Sequence, residues 1–179
     1  MNEDERLIQR VVNGDVEAFR SLVERYQSPI LRFIINITGD RELGEDVGQD
    51  VFLAAFRSLG SFDPDRSRFS TWLFTIARNK SLAAIRKKQV AYLAELPDCP
   101  TGCSESDELE RAELNRALDR ALASLPAAQR TAFVLAEFED LPYDQIARIE
   151  GTRVGTVRSR ISRAREKLRQ VLHEYGKDL

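Results

Sequence analysis

The sequence predicts an all-α protein of two small helical domains joined by a flexible acidic linker. Apolar residues recur at steps of three and four along most of the chain, and alternating β-branched residues are scarce. The stretch from Leu96 to Asp107 contains two prolines, one glycine and only acidic charges, a composition typical of a linker. We therefore expect a first domain at residues 1–93, the linker at 94–108 and a second domain at 109–179.

The helical spacing places individual helices within these limits. Asp15, which follows Gly14, has the side chain of a helix N-cap, and the Gly- and Pro-containing stretch Leu59–Arg68 is typical of a polar loop. The predicted helices are Asp4–Asn13, Asp15–Thr38, Glu42–Leu59, Phe69–Tyr92, Glu108–Ser124, Ala127–Glu137, Tyr143–Glu150 and Val154–Tyr175.

Composition excludes several classes of protein. A hydrophobic content of 42% and a charged content of 31% over 179 residues are typical of a soluble globular protein. No apolar run reaches the length of a membrane span, and the acidic start Met1–Glu5 is unlike a signal peptide, so we expect a cytoplasmic protein. The net charge of -2 hides two basic tracts, at Arg66–Lys88 and Arg153–Arg169, and such local fields govern phosphate binding.

The second basic tract has the pattern of a DNA-reading helix. A short helix, Tyr143–Glu150, is followed by Gly151 and then by a longer helix with an apolar stripe. Basic and hydroxyl side chains fall between the apolar positions and therefore face outward, as in a helix that enters the major groove. A solvated basic face is the alternative. The stripe is Val154, Val157, Ile161, Ala164, Leu168 and Val171, and the candidate DNA-binding residues are Thr156, Arg158, Ser159, Arg160, Ser162 and Arg163.

The first basic tract interleaves aromatic residues with cations. This mixture suits single-stranded nucleic acid, because rings stack on bases while cations hold the backbone. Trp72, Phe74 and Ile76 can instead be core residues, and for Trp72 the core is favoured; Phe69, beside the polar loop, is the better stacking candidate. The candidate residues are Arg66, Arg68, Phe69, Trp72, Arg78, Asn79 and Lys80.

An acidic face is predicted on the helix that precedes this tract. Asp46, Gln49, Asp50 and Leu53 share one side by helical spacing, whereas Val47, Val51 and Phe52 are expected to pack inward. Paired carboxylates could indicate catalysis or a metal, but no histidine lies near them. We interpret the face as a docking surface for a basic protein partner, with a merely solvated face as the alternative.

No catalytic constellation is present in the sequence. There is no nucleophile–base pair, phosphate-binding loop or metal cluster, so we predict neither enzyme activity, nor a cofactor, nor a metal site. Cys99 and Cys103 are expected to be free thiols in a reducing compartment, with a small disulfide loop or a metal role as the alternatives. His173 is expected to be a helix-end residue.

Taken together in this order, these segments resemble the extracytoplasmic-function (ECF) sigma factors of the sigma-70 family. The resemblance rests on Glu45–Phe52, Phe69–Asn79, the pair Leu125-Pro126, and Tyr143–Ala147 continued by Gly155–Arg160. Thr152 and Arg153 depart from the family pattern at the turn, and Thr152 is the expected cap of the following helix.

The resemblance implies a function and a set of partners. The chain would be a promoter-specificity subunit of bacterial RNA polymerase, with the first domain as sigma region 2 and the second as region 4. The acidic face would dock on the β′ clamp of the polymerase core, and region 4 would dock on the β flap. Phe69, Asn79 and the loop Ser61–Arg68 would capture unpaired bases of the -10 element, and the basic helix would read the -35 duplex. An anti-sigma factor commonly holds family members inactive.

A stand-alone helix-turn-helix regulator that does not join polymerase is the alternative, and it leaves the acidic face unexplained.

Overall fold

The computed structural model describes residues 2–94 and 117–175, and every element in these ranges is helical. Helices α1–α4 form an N-terminal unit, and helices α5–α8 form a C-terminal unit. A single 3-10 turn at Leu59–Ser61 follows α3. The helices are α1 Glu3–Val12, α2 Glu17–Thr38, α3 Arg41–Ser58, α4 Phe69–Ala94, α5 at 117–123, α6 Ala127–Glu137, α7 Tyr143–Glu150 and α8 Val154–Tyr175.

The predicted all-α fold is confirmed, and the predicted helix limits agree closely with it. The limits of α6, α7 and α8 match the prediction, and the other fully described helices differ by at most two residues at either end. Of the predicted helix Glu108–Ser124, only residues 117–124 are described, and 117–123 are helical. Of the predicted linker 94–108, only Ala94 is described. Cys99 and Cys103 also lie outside them.

Local chemistry explains where the first helices begin and end. Asn2 accepts a hydrogen bond from the backbone N–H of Glu5, whose carboxylate accepts one from the N–H of Asn2, which closes a capping box on α1. Asp15 was predicted as the N-cap of α2, but the N-cap is Val16, which makes no side-chain capping bond; Asp15 lies one residue earlier and accepts from the N–H of Ala18. Gly39 ends α2 with a φ of 69°, a left-handed conformation that glycine adopts without strain.

The N-terminal unit packs α2, α3 and α4 around one apolar core. Phe33 of α2 and Phe74 of α4 are fully buried and meet edge to face, with ring centroids 5.4 Å apart. Helix α3 approaches α2 at two glycines: a Cβ at Gly44 would lie 2.7 Å from Cγ1 of Ile35, whereas one at Gly48 would lie 3.7 Å from its nearest atom, Cδ1 of Leu31. Helix α3 can therefore lie this close to α2 only because Gly44 has no side chain.

The two units share a continuous core. Helix α6 packs against α2, and α7 packs against α4. Most buried apolar residues of the two units belong to one cluster, in which Leu135 and Ile146 join Phe33 and Leu73. A second, smaller cluster lies among α5, α6 and α8. The sequence predicted two bundles joined through a linker and gave no sign that their cores would meet.

Replacing Gly44 by alanine should destabilise the fold, because the new methyl group overlaps Ile35. Overpacking of this kind costs about 1–3 kcal/mol. The matched control, Gly48→Ala, meets only ordinary van der Waals contacts and should stabilise α3 by up to about 1 kcal/mol through helix propensity. Urea denaturation followed by circular dichroism measures both free energies of unfolding. Equal stabilities of the two variants would contradict the tight approach at Gly44.

Candidate nucleic-acid and polymerase interfaces

The acidic face lies on the exposed side of α3. Asp46, Gln49, Asp50 and Leu53 are all exposed, while Val47 and Val51 are buried on the opposite side. Phe52 is partly buried and packs against the core. The spacing argument therefore placed both sides of this helix correctly.

Basic residues of α4 form the far wall of a groove beside the acidic face. Nζ of Lys80 lies 3.6 Å from the carboxylate of Asp50, and Nζ of Lys88 lies 2.7 Å from that of Asp40. The hydrogen bond from Lys88, aided by one from the backbone N–H of Leu43, lowers the pKa of Asp40. The Lys80–Asp50 pair is exposed and weak, so Asp50 remains available to a partner.

The loop before α4 leads into a cluster of four aromatic rings. Phe69 lies at its centre. Its ring centroid is 5.4 Å from that of Tyr26 and 5.7 Å from those of Phe62 and Trp72. Phe69 is only 2% exposed. Other rings enclose Phe69 in this structure, and its stacking on an unpaired base stays a prediction.

The neighbouring rings lie nearer the surface. Trp72 packs against the core, which was the favoured interpretation of this residue. Trp72 and the loop residue Phe62 are both partly exposed. Their ring centroids are 5.5 Å apart. Phe62 was not named among the candidate residues, although it lies in the loop Ser61–Arg68 that the resemblance assigned to unpaired bases.

The cations of the first tract differ in their surroundings. Arg66, Arg68 and Asn79 are exposed. Arg78 is partly buried, donates from Nη1 to the side-chain oxygen of Asn79 at 3.1 Å, and keeps a buried Nε that has no partner among the described residues. Three of the seven candidate residues are thus freely accessible.

Helices α7 and α8 form the predicted helix-turn-helix. Gly151 ends α7 with a φ of 61°, and the N–H of Thr152 donates to the carbonyl of Ala147, which completes a left-handed helix end. Helix α8 then begins at Val154. The apolar stripe is buried at Val157, Ile161, Ala164 and Leu168, whereas Val171 is partly buried and Val154 is exposed. The stripe therefore starts one turn later than predicted, because Val154 lies at the free end of the helix.

The outer arc of α8 presents most of the predicted DNA-binding residues. Arg158, Ser159, Ser162 and Arg163 are exposed, and neither arginine forms an ion pair with any described residue; Thr156 is partly buried. Arg165 is turned toward α6, where it pairs with Glu137 at 2.6 Å. The arc therefore offers two unpaired guanidinium groups on one side of a helix.

Arg160 differs from its neighbours because it binds a buried carboxylate. Its Nη1 donates to Oε2 of Glu150 at 2.7 Å, and the side chain of Glu150 has no exposed surface. Burial raises the pKa of Glu150, and the hydrogen bond from Arg160 opposes that shift. Sequence reasoning placed Arg160 among the free DNA-reading residues, but the structure ties it to the preceding helix.

Among the described residues, no group of acidic, cysteine and histidine side chains is arranged to hold a metal ion. His173 is exposed in the last turn of α8, the helix-end position that was expected. Among the helices described, none is both long and apolar enough to span a membrane.

Comparison with known proteins identifies the two units. Residues 22–90 match the family model for sigma-70 region 2, and residues 115–168 match that for sigma-70 region 4. The RNA polymerase sigma-H factor of Pseudomonas aeruginosa is 36% identical over 95% of this chain and 94% of its own length. The ECF RNA polymerase sigma factor SigW of Bacillus subtilis is 32% identical over 93% of this chain and 95% of its own.

Solved structures agree with these relatives. The chain resembles CnrH, solved in complex with the cytosolic domain of CnrY, with a TM-score of 0.77 and 29% identity over 97% of this chain and 99% of that one. It also resembles the sigma factor RpoE of Bartonella quintana, solved with the anti-sigma factor NepR, with a TM-score of 0.71 and 27% identity over 88% and 98% of the two chains. The chain belongs to the ECF sigma factors of the sigma-70 family, whose members are transcription-initiation subunits of RNA polymerase rather than a class of enzymes.

Proposed function

We propose that this sigma factor holds a promoter with two separate sites, one on α8 and one on α4 with its preceding loop. The observation that carries the proposal is the arc of exposed Arg158, Ser159, Ser162 and Arg163 opposite the buried stripe of α8. Arginine can bond guanine through two hydrogen bonds, and serine can bond phosphates or bases. This arc would read the -35 duplex.

The second site would bind unpaired bases of the -10 element. Arg66 and Arg68 are exposed on the loop, and the side-chain amide of Asn79 is exposed on α4. Since Phe69 is enclosed, the partly exposed rings of Phe62 and Trp72 are better placed to stack on a base. Trapping single-stranded bases favours strand separation, so the chain would act by binding and not by catalysis.

The acidic face of α3 would dock the chain on the polymerase core. Exposed carboxylates at Asp46 and Asp50, with Gln49 and the apolar Leu53 beside them, suit a basic partner surface such as the β′ clamp. Region 4 would add a contact to the β flap.

Residues 1–93 and 109–179 would be the two functional domains, with 94–108 as the connection between them. The protein would work in the cytoplasm, where polymerase acts, and an anti-sigma factor would control it, as the complexes of its relatives suggest.

Runoff transcription with purified core polymerase tests the whole proposal. Promoter-dependent transcripts from a genomic library are expected only when the chain is added. A stand-alone regulator that uses the same helix-turn-helix would yield none, and it would not co-elute with core polymerase.

Reversing the charges at Asp46 and Asp50 to lysine should weaken binding to core polymerase, because the new cations face a basic partner surface. The -35 arc lies on α8, so binding of a -35 duplex should be unchanged. The matched control reverses two exposed acids on α2, Glu17 and Glu24, which lie outside the acidic face. Fluorescence anisotropy titration of labelled chain with core gives the affinities. Equal affinities for the two double variants would count against the docking face.

Replacing Arg158 and Arg163 by alanine should remove discrimination between promoter and non-promoter -35 sequences. Each guanidinium that bonds a base is worth about 1–3 kcal/mol of discrimination. Arg169→Ala is the control, since this exposed arginine lies on the same helix but pairs with Glu166. Competition binding with variant duplexes measures the preference. A double variant that keeps the original preference would rule out base reading by these two residues.

Glu150→Gln should change how stability depends on pH. Because burial raises the pKa of Glu150 in the folded state, the wild-type chain loses stability as pH rises from the ordinary value of 4.5 through the raised one. Glutamine does not titrate, so the stability of the variant relative to wild type should increase across that range. Urea midpoints between pH 4 and 7 give the trend, with Glu166→Gln at an exposed ion pair as the control. A relative stability that falls with pH would contradict the burial of this carboxylate.

A further inference from the structure

The outward side of α8 contains a glycine that the fold itself does not explain. Gly155 is the second residue of α8, it is exposed, and its φ lies outside the left-handed region. A Cβ added at Gly155 would have no atom of a neighbouring element within 4 Å among the described residues. By contrast, the close approach of α2 explains Gly44, and a φ of 61° explains Gly151. Neither reason applies to Gly155.

Glycine is also an unfavourable residue for the helix at this position. It is among the poorest helix formers, because its backbone loses the most conformational freedom on folding. Alanine would fit the open space beside Gly155 and would favour the helical conformation. The free chain therefore gains nothing from the missing side chain, whereas a molecule that approaches α8 closely from outside would.

Gly155 lies in the middle of the arc that faces away from the buried stripe. At about 100° per residue, Gly155, Ser159 and Ser162 fall within about 60° of one another on the circumference of α8. All three are exposed. Arg158 and Arg163 lie on either side of them, about 140° apart. The arc therefore has short residues along its middle and long cationic side chains at both edges.

This profile fits the major groove of duplex DNA. Base edges form the floor of the groove, and phosphates lie along its two sides. A helix in the groove points its central residues at the floor, and residues near its start contact base edges. The hydroxyl of Ser159 lies only one bond beyond Cβ, so it reaches a base edge only if the backbone of α8 comes close to the floor. The longer Arg158 and Arg163 can bridge a greater distance.

An acidic residue marks where the DNA-facing part of α8 ends. Glu166 lies on the same side of the helix as Ser162, about one turn further on, and it is exposed. It pairs with Arg169, which lies further along the helix. Because phosphates repel a carboxylate, DNA is expected to approach α8 before Glu166, between Gly155 and Arg163. The missing side chain is therefore at the end of the helix where close approach is needed.

We propose that Gly155 determines specificity: its missing side chain lets α8 enter the major groove deeply enough for Ser159 to contact a base edge. This inference rests on the proposed assignment of α8 to the -35 duplex, and it adds that base reading depends on the depth of the helix. Binding that is independent of sequence depends mainly on phosphates and does not need that depth.

Progressively larger side chains at Gly155 test this inference, and Gly155→Ala and Gly155→Leu both favour the helix. The probe is a short duplex selected from random-sequence DNA by the wild-type chain bound to core polymerase. It is kept only if the variant with Arg158→Ala and Arg163→Ala does not bind it, and a scrambled duplex is the reference. The affinity of the Gly155→Ala complex for the selected duplex should fall by about tenfold, the loss of one base contact. Gly155→Leu should lose more, and affinities for the scrambled duplex should stay within about twofold.

Gly60 provides the matched control, since a Cβ there also has open space, but this glycine lies in the 3-10 turn of the N-terminal unit. Gly60→Ala and Gly60→Leu should leave both affinities unchanged. The urea midpoint of the free Gly155→Ala chain should equal or exceed that of wild type. Stability and affinity for the selected duplex are thus expected to change in opposite directions or independently, which a purely structural role for the glycine would not produce.

Three results would overturn the role of Gly155 alone. They are an unchanged preference for the selected duplex in both Gly155 variants, an equal loss of affinity for the scrambled duplex, and a clearly lower urea midpoint for Gly155→Ala. If the wild-type complex selects no duplex that depends on Arg158 and Arg163, the proposed reading of the -35 duplex by α8 fails instead, and the role of Gly155 fails with it.

Discussion

Helix α4 must be buried on two sides, and the arrangement of the other helices follows from that requirement. Leu73, Phe74 and Ala77 are buried, with Phe74 packed on Phe33 of α2, while Thr71 bonds Gln145 of α7 on another side. A helix that is apolar around most of its circumference needs partners on more than one face. The N-terminal unit supplies one partner and region 4 supplies the other. This explains why a chain with two recognisable domains has one continuous core.

The sequence predicts those features that depend on neighbours three or four residues away. The limits of α7 and α8 follow from periodicity and from Gly151, and the opposed faces of α3 follow from the spacing of Asp46, Asp50, Val47 and Val51. Features that depend on distant residues could not be predicted in this way. Enclosure of Phe69 needs Tyr26, which lies 43 positions earlier in the printed sequence, and the Arg32–Glu139 pair spans 107 positions. No local pattern marks either contact.

The electrostatics of α8 show why a count of charges is a poor guide to a DNA-binding surface. Seven basic residues lie between Arg153 and Arg169, yet they have different roles in the folded chain. Arg160 and Arg165 pair with Glu150 and Glu137 of the helices behind α8, and they fix its orientation. Arg158 and Arg163 form no ion pair with any residue that the structure describes. Ion pairs therefore divide one basic tract into residues that position the helix and residues that remain available to DNA.

The same division applies to the chain as a whole. The acidic face of α3 and the outer arc of α8 are exposed, and they lie on different units of the chain. Helices α4 and α8 both pack on α7, so contacts of α7 position the two units relative to each other.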